Sequence, residues 1–290
     1  MTGDPGLFGP FSVTWHLHAD PMMWLAGVRA LYLQALHPVA VRGVLQNSDF
    51  RADPWGRLMR TAEFVGVRTY GTREEAETAA ARVRRVHRAL RVHDPDSGRV
   101  HRVDEPELLR WIHCAEIGSY LHVVRRAGLR LTDAQADRYV AEQRRSAALV
   151  GLDEAPGSVA ELEAYFAAVR PVLRAAPEAL EILRFLHRPR IRPLTAPLEP
   201  VLWTPLSHVA YSALPAWARE LYGRPGLSEA ATTRALRVLR RAALMIPARL
   251  RWRLPSPLIP AAITRLGPAA TPSARGLAAV GSAGAVPGSR

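Results

Sequence analysis

Apolar residues recur along this chain at the spacing of amphipathic helices, and no stretch shows the strict alternation of a strand. The first stripe starts at Asp20-Pro21, an N-cap sequence with proline in the first turn, and runs through Leu25, Val28, Ala30, Leu31 and Leu33 to His37-Pro38. Pro38 should kink or end that helix, with 39–46 resuming it. Turn-rich Ser48-Asp-Phe-Arg-Ala-Asp-Pro54 leads into a helix over about 54–68, which Gly71-Thr72 closes. Thr72-Arg-Glu-Glu75 has the form of a capping box. Behind it, a helix over 73–92 turns Ala76, Ala79, Ala80, Val83, Val86 and Leu90 inward, with His87 on the same face. Asp104-Glu-Pro106 opens a stripe of Leu109, Ile112, His113, Glu116, Ile117 and Tyr120. Helical patterns follow over 132–150, 158–174, 176–188 and 228–246, the first two headed by the capping-box sequences Thr132-Asp-Ala-Gln135 and Ser158-Val-Ala-Glu161. With no internal repeat, the expectation is an all-α fold in a single multi-helix domain.

Three regions depart from this pattern. Residues 1–20 read as an irregular arm anchored by Phe8 and Trp15. Residues 188–216 are proline-rich yet carry Leu194, Leu198, Val201, Leu202, Trp203 and Tyr211, as an irregular apolar connection over a helical core would. Residues 256–290 form a tail rich in Pro, Ala and Gly; from about 267 it lacks aromatic residues and is read as flexible, because it has little apolar surface to offset its ordering entropy. The helical domain thus spans 21–255.

Composition narrows the classes. At 290 residues and 48% hydrophobic, the chain can bury a large core and is not a disordered protein. Its 39 basic residues exceed its acidic ones and give a formal charge of +13, which opens two partner readings, nucleic acid and an anionic membrane surface. The dense run Arg82, Arg84, Arg85, Arg88 and Arg91 falls mainly opposite the apolar face of its helix, as a solvated face does, and no helix-turn-helix accompanies it; nucleic acid is therefore the weaker partner reading. Peripheral membrane contact stays compatible with the charge. A single cysteine, Cys114, excludes an intramolecular disulfide, and the first residues lack the basic and apolar regions of a signal peptide; both fit a cytoplasmic protein. No uncharged apolar run reaches about 18 residues, so no spanning helix is expected.

Candidate chemistry centres on Arg57-Leu-Met-Arg60-Thr61. At 3.6 residues per turn Arg57, Arg60, Thr61 and Phe64 share a face that sets two fixed charges and a hydroxyl beside apolar surface. His87 reads either as a core histidine or as an axial iron ligand, a neutral imidazole giving its lone pair to the metal. His113 admits the same two readings, with Glu116 three residues on as a partner that would fix its ring. The order His-x-x-Glu reverses the Glu-x-x-His of di-iron bundles, which weakens a non-haem site. His37 sits at a helix end, where free carbonyls would receive it. Neighbours on a helix point about 100° apart, so Cys114 and His113 are a poor nucleophile pair. The chain lacks HExxH, CxxC, GxGxxG, Walker and GxSxG motifs, which argues against the common protease, nucleotide and hydrolase sites.

Taken in order, Leu33-Gln-Ala-Leu-His37-Pro-Val-Ala, Ser48-Asp-Phe-Arg-Ala-Asp-Pro54, Arg57-Leu-Met-Arg60-Thr61, Gly71-Thr-Arg-Glu-Glu-Ala76 and Pro106-Glu-Leu-Leu-Arg-Trp-Ile-His113 resemble the MpaB-type oxygenase family, which is related to the latex-clearing protein, a rubber oxygenase. The resemblance covers about residues 10–255 and rests on the order of these segments rather than on any one of them. It implies an all-α fold around a b-type haem with a histidine as proximal ligand, and oxidative cleavage of a carbon–carbon double bond with O₂. His87 is the best match to that ligand and His113 the second. The rubber enzymes carry Arg-x-x-Lys-Thr on the distal side; here Arg57 and Thr61 match, and Arg60 replaces the lysine. Arginine stays protonated and cannot coordinate iron as an amine can, so a lysine-capped resting state is not expected. The glutamate that those enzymes place upstream, a proposed base, has no acidic counterpart over 39–46, which leaves His37 as a substitute.

The expectation is a haem b-dependent oxygenase acting with O₂ on an apolar, isoprenoid- or polyketide-derived small molecule, supplied by an electron donor. His87 would hold the metal, with His113 and Arg57 also contacting the cofactor. Arg57, Arg60, Thr61 and His37 would serve the chemistry, and apolar residues of 188–216 would close the substrate pocket. The competing reading is a cofactor-free basic helical protein that binds nucleic acid or a membrane surface, or acts as a scaffold.

Overall fold

The computed structural model describes residues 3–48, 52–188 and 199–282. Among them are fifteen helices and one small ribbon. In chain order these are α1 (Val13–Leu17), α2 (Met23–Gln34), α3 (Pro38–Asn47), α4 (Pro54–Tyr70), α5 (Arg73–Ala89), strands β1 (Arg91–His93) and β2 (Val100–Arg102), α6 (Pro106–Arg126), α7 (Asp133–Leu149), α8 (Val159–Val169), α9 (Pro177–His187), α10 (Glu199–Ser212), α11 (Ala216–Tyr222), α12 (Glu229–Met245), α13 (Ala248–Arg251), α14 (Leu258–Leu266) and α15 (Ala274–Ser282). The fold is all-α, as the periodicity predicts.

The centre is the packing of α2 against α6. The long helix α6 buries Trp111, Cys114, Ala115, Ile117, Leu121, Val123 and Val124, nearly its whole circumference, against Val28, Tyr32, Leu33 and Leu36 of α2 and its C-terminal turn. A helix that buries residues around most of its circumference sits inside a protein, and α6 forms the axis of the bundle. Two polar contacts fix its register: Trp111 Nε1 donates to the Gln34 carbonyl at 3.0 Å, and Gln34 Nε2 donates to the Ile112 carbonyl at 3.1 Å. Helices α7, α9, α10 and α12 pack around this pair.

Local signals hold at the helix starts. Pro38 ends one helix and begins the next, as proline at a first turn allows. Thr72 and Thr132 both close reciprocal capping boxes. Ser158 caps only one way: Glu161 reaches past it to the Gly157 N–H, so the predicted box is half formed.

Several expectations are corrected. The arm over 1–20 instead contains α1, whose Val13, Trp15 and Leu17 are fully buried; side-chain burial over five residues outweighs the weak local helix signal. Residues 91–93 and 100–102 pair antiparallel, a ribbon too short to show alternation. Helix α5 ends at Ala89 and leaves Val86 48% exposed, so its inward face is narrower than predicted and rests on Ala76 and Ala80. The apolar connection over 188–216 is helical in its described part, α10 running through Pro205; Leu194 and Leu198 lie outside the described residues. The tail is structured as far as residue 282: α14 buries Ile259 and Leu266 against Trp15 and Tyr70, and α15 buries Leu277 and Val280. These few apolar residues suffice because α15 fills a groove between α1 and α7 and α14 packs along α4.

Candidate active site

Helices α4 and α5 form an antiparallel hairpin closed by Gly71 and Thr72. At 1.5 Å per residue, Arg57 and His87 each lie about 20 Å from that turn, so the hairpin sets them at the same level. The start of α6 joins them there, since the Asp104 carboxylate acts on His87. Ser48, just after α3, accepts a hydrogen bond from Arg57. The open end of the hairpin thus gathers the end of α3, the start of α4, the end of α5 and the start of α6.

The predicted residues separate within this frame. Arg57 is half-buried, and desolvation, with Arg60 adding to it, holds its pKa below the usual arginine value while leaving it charged. Arg60 turns outward, its side chain 68% exposed and paired with Asp53 at 3.1 Å. Thr61 is exposed as well and returns its hydroxyl to the Arg57 carbonyl at 3.1 Å. His87 is half-buried, and desolvation lowers its pKa against the opposing pull of Asp104. Its Nδ1 is buried and has no hydrogen-bond partner.

His37 does not receive carbonyls. It caps α3 through Nδ1, which accepts from the Ala40 N–H at 3.4 Å, and its ring lies 6.1 Å from that of Trp111. Burial pushes its pKa down to about 4. His113 is deeper still; desolvation, with Arg68 adding to it, lowers its pKa to about 3, so the ring is neutral. Glu116 does not serve His113 as predicted, because it pairs with Arg68, and His113 Nε2 is buried without a partner. Cys114 is buried in the core, which pushes its thiol up to about 12 and excludes a thiolate nucleophile.

Around Arg68 and Glu116 lies a buried polar cluster that the motif reading missed. The Arg68 guanidinium also stacks at 5.6 Å over Phe64. Tyr120 and Tyr139, both buried, border the ion pair. His18, just past α1, joins Thr69 Oγ1 through Nδ1 at 2.9 Å and the Tyr139 hydroxyl through Nε2 at 3.2 Å. Beside it, Glu142 accepts from the Val13 and Thr14 N–H groups and from Thr14 Oγ1, at 2.8 to 3.1 Å. One signal was available: Arg57, Thr61, Phe64 and Arg68 are spaced i, i+4, i+7 and i+11, a single helix face that continues three turns inward.

The buried imidazoles give the fold a pH dependence of definite sign. The folded-state pKa of His113 is about 3 and that of His37 about 4, both below the ordinary value of 6.5. Between those values and 6.5 the unfolded chain binds more protons, so stability rises with pH through that window. The stabilisation is complete above pH 6.5 and is lost on acidification. The urea midpoint of the cofactor-free chain is expected to hold steady from pH 8 to 7 and to fall from pH 6.5 to 5. A midpoint unchanged between pH 7 and 5 would contradict the buried neutral state of these rings.

The rim of the open end is apolar. Trp55 of α4 is 50% exposed and meets Trp203 of α10 edge-on at 6.5 Å between ring centres, while Val86 of α5 is 48% exposed. The arrangement places a fixed positive charge, a neutral imidazole with a free ring nitrogen and an apolar rim at one end of a helical bundle. Such a set suits a cofactor with an anionic edge and a metal that prefers nitrogen donors, next to an apolar substrate. Among the described residues no cluster of three or more His, Cys, Asp or Glu side chains is able to hold a metal ion by itself.

Comparison with known proteins bears on the same residues. Residues 15–272 match the family model described as ER-bound oxygenase mpaB/B'/rubber oxygenase, catalytic domain. No curated protein and no solved structure matches the chain. The matched stretch reaches from Trp15, under the polar cluster, to the turn before α15, and so takes in every site residue described above. The chain therefore belongs to the mpaB/rubber oxygenase catalytic-domain family and is an oxygenase.

Proposed function

We propose that this oxygenase is haem b-dependent and acts with O₂ on an apolar, isoprenoid- or polyketide-derived small molecule by cleaving a carbon–carbon double bond. The observation that carries the reading is the buried Nδ1 of His87, unpartnered on a neutral ring at the level of Arg57. A buried polar atom with no partner is uncommon in a native fold and calls for a ligand or a constraint that completes it. Among the imidazoles with such an atom, His113, also neutral and with Nε2 unpartnered, is the other. The residues present therefore fit a haem: His87 would hold the iron, and Arg57 would meet a propionate at the open end. When bound, haem iron supplies the activation of O₂ that organic side chains lack.

The remaining roles belong to the chain itself. The Arg57 guanidinium is a fixed donor that neutralises negative charge without giving up a proton. Arg60, paired with Asp53 outside the site, tunes the approach of anions rather than contacting the reaction. Trp55, Val86 and Trp203 cover an apolar substrate and exclude water from it, a role for α10 that the composition of 188–216 suggested. His37, neutral and close to Trp111, is the imidazole on the α3 side.

The test is the absorption spectrum of the full chain expressed with a haem precursor, before and after dithionite, followed by oxygen consumption with apolar alkenes. A near-stoichiometric Soret band that shifts on reduction is expected. A featureless spectrum that persists after reconstitution would overturn the haem assignment while leaving the chain in its family.

A further inference from the structure

Charge is divided unevenly along this chain. All 26 carboxylate residues lie at or before Glu229, whereas ten arginines lie beyond it. Much of that charge is carried by α12 and α13. Arg234, Arg237 and Arg241 line an open groove of about 670 Å³ between α12 and the end of α6, together with His122 and Arg126. Arg126 is satisfied by Thr233 and Glu229. Arg234, Arg237 and Arg241 are exposed, and among the described residues no hydrogen bond or ion pair engages their guanidinium groups.

Helix α12 is anchored by Thr232 and Leu236, both fully buried, and by Arg240, which pairs with the buried Asp20 at 2.7 Å. No residue from Arg237 to Leu258 is buried; between Arg240 and Trp252, which rests against the cluster of Trp15 and Tyr70, the chain forms an exposed projection. That projection is apolar as well as basic. Met245 is 85% exposed, and Val238, Leu244, Ile246, Leu250 and Leu254 are also largely exposed. The positions Arg234, Val238, Arg241 and Met245 share one helix face, so cations and apolar side chains alternate along a line toward the tip. Arg249 and Arg253 flank the tip, exposed and, among the described residues, without a side-chain partner.

We propose that α12 and α13 dock this protein on an anionic phospholipid bilayer. Met245, Ile246, Leu250 and Leu254 enter the boundary between headgroups and acyl chains, and Arg234, Arg237, Arg241, Arg249 and Arg253 hold lipid phosphates. An exposed apolar patch rimmed by arginines is complementary to such a surface, since it meets hydrocarbon at the tip and negative charge on its flanks. A nucleic acid satisfies only the arginines and leaves the apolar tip in water; no exposed aromatic ring lies among these residues to stack on a base. None of the described helices is long and apolar enough to cross a membrane, so the contact is one of lying on the surface. The inference rests on this face alone and does not depend on the haem.

The test is sedimentation of the full chain with vesicles of phosphatidylcholine alone and with vesicles containing about one third phosphatidylglycerol, at low and high salt. Binding to the anionic vesicles only, weakened by salt, is expected. Met245→Ser/Ile246→Ser/Leu250→Ser and, separately, Arg237→Glu/Arg241→Glu should each reduce that binding on the order of tenfold or more. Far-ultraviolet dichroism should stay unchanged, because every one of these positions is exposed. Equal binding to both vesicle types, or no binding to either, would overturn the proposal. So would retention on DNA that is insensitive to the apolar substitutions, or a dimer in light scattering that those substitutions dissolve while vesicle binding is absent.

Discussion

Glu116→Ala is expected to remove about 3–5 kcal/mol from the unfolding free energy, the cost typical of stranding one partner of a buried ion pair. Arg68 is 5% exposed at its side chain and lies among His18, His113, Tyr120 and Tyr139, groups that give it no second anion. Its charge then stays desolvated with no carboxylate to accept from it. Glu116→Gln keeps the shape and one acceptor oxygen and should lose less. Equilibrium urea unfolding of both variants separates these effects. A loss under 1 kcal/mol for the alanine variant would mean that water reaches Arg68 and that the cluster is not closed. Replacing both Arg68 and Glu116 by apolar residues should cost less than the alanine change alone, since no unpaired charge remains.

The second large effect concerns the cofactor and tests the ligand assignment proposed above. His87→Ala should leave the chain folded, because α5 is held by Ala76, Ala80 and the capping box rather than by its last turn, yet abolish the Soret band after reconstitution. His113→Ala should keep most of the band and shift its position, because that ring lies deeper, beside Arg68. The reverse pattern, with haem retained in His87→Ala and lost in His113→Ala, would move the iron to the α6 histidine. Supplying free imidazole separates ligand loss from collapse of the pocket: it restores the spectrum only where the cavity survives.

Much of the bundle was legible from spacing and caps. The helices over 54–70, 73–89, 106–126, 133–149 and 229–245 follow directly from apolar periodicity bounded by Thr72, Pro106, Thr132 and Ser228. The hairpin of α4 and α5 was implied as well, since a two-residue turn leaves the helices no other packing. Two of the failures share a cause: α1 and α15 are short segments fixed by distant partners. Helix α1 has five residues and is held by Glu142, about 130 positions away; α15 is Ala- and Gly-rich and is held by Gln135 and Arg138 of α7. Local propensity carries no trace of either contact. The site divides along the same line. Arg57 and His87 were reachable because one hairpin brings them level, whereas the assembly of His18, Thr69 and Tyr139 around Arg68 and Glu116 needs three separate helices to meet. Arg60 and Thr61 share the angular sector of Arg57 but sit nearer the solvent edge, a difference that helix geometry alone does not express.

Trp15 bears on how this molecule is made. Its indole N–H donates to the Ala270 carbonyl at 2.8 Å, across a separation of 255 residues, and His16 accepts from the Ser273 N–H on the same side. A ribosome adding about 5–20 residues each second takes on the order of 10–50 seconds to reach Ala270 once Trp15 has been joined. Throughout that interval α1 lacks its cover, and the strand-free core around α2 and α6 has to hold together without it. Docking of α14 is therefore a late folding event: a ribosome-bound intermediate stopped short of it would expose Trp15 and Tyr70 to chaperones.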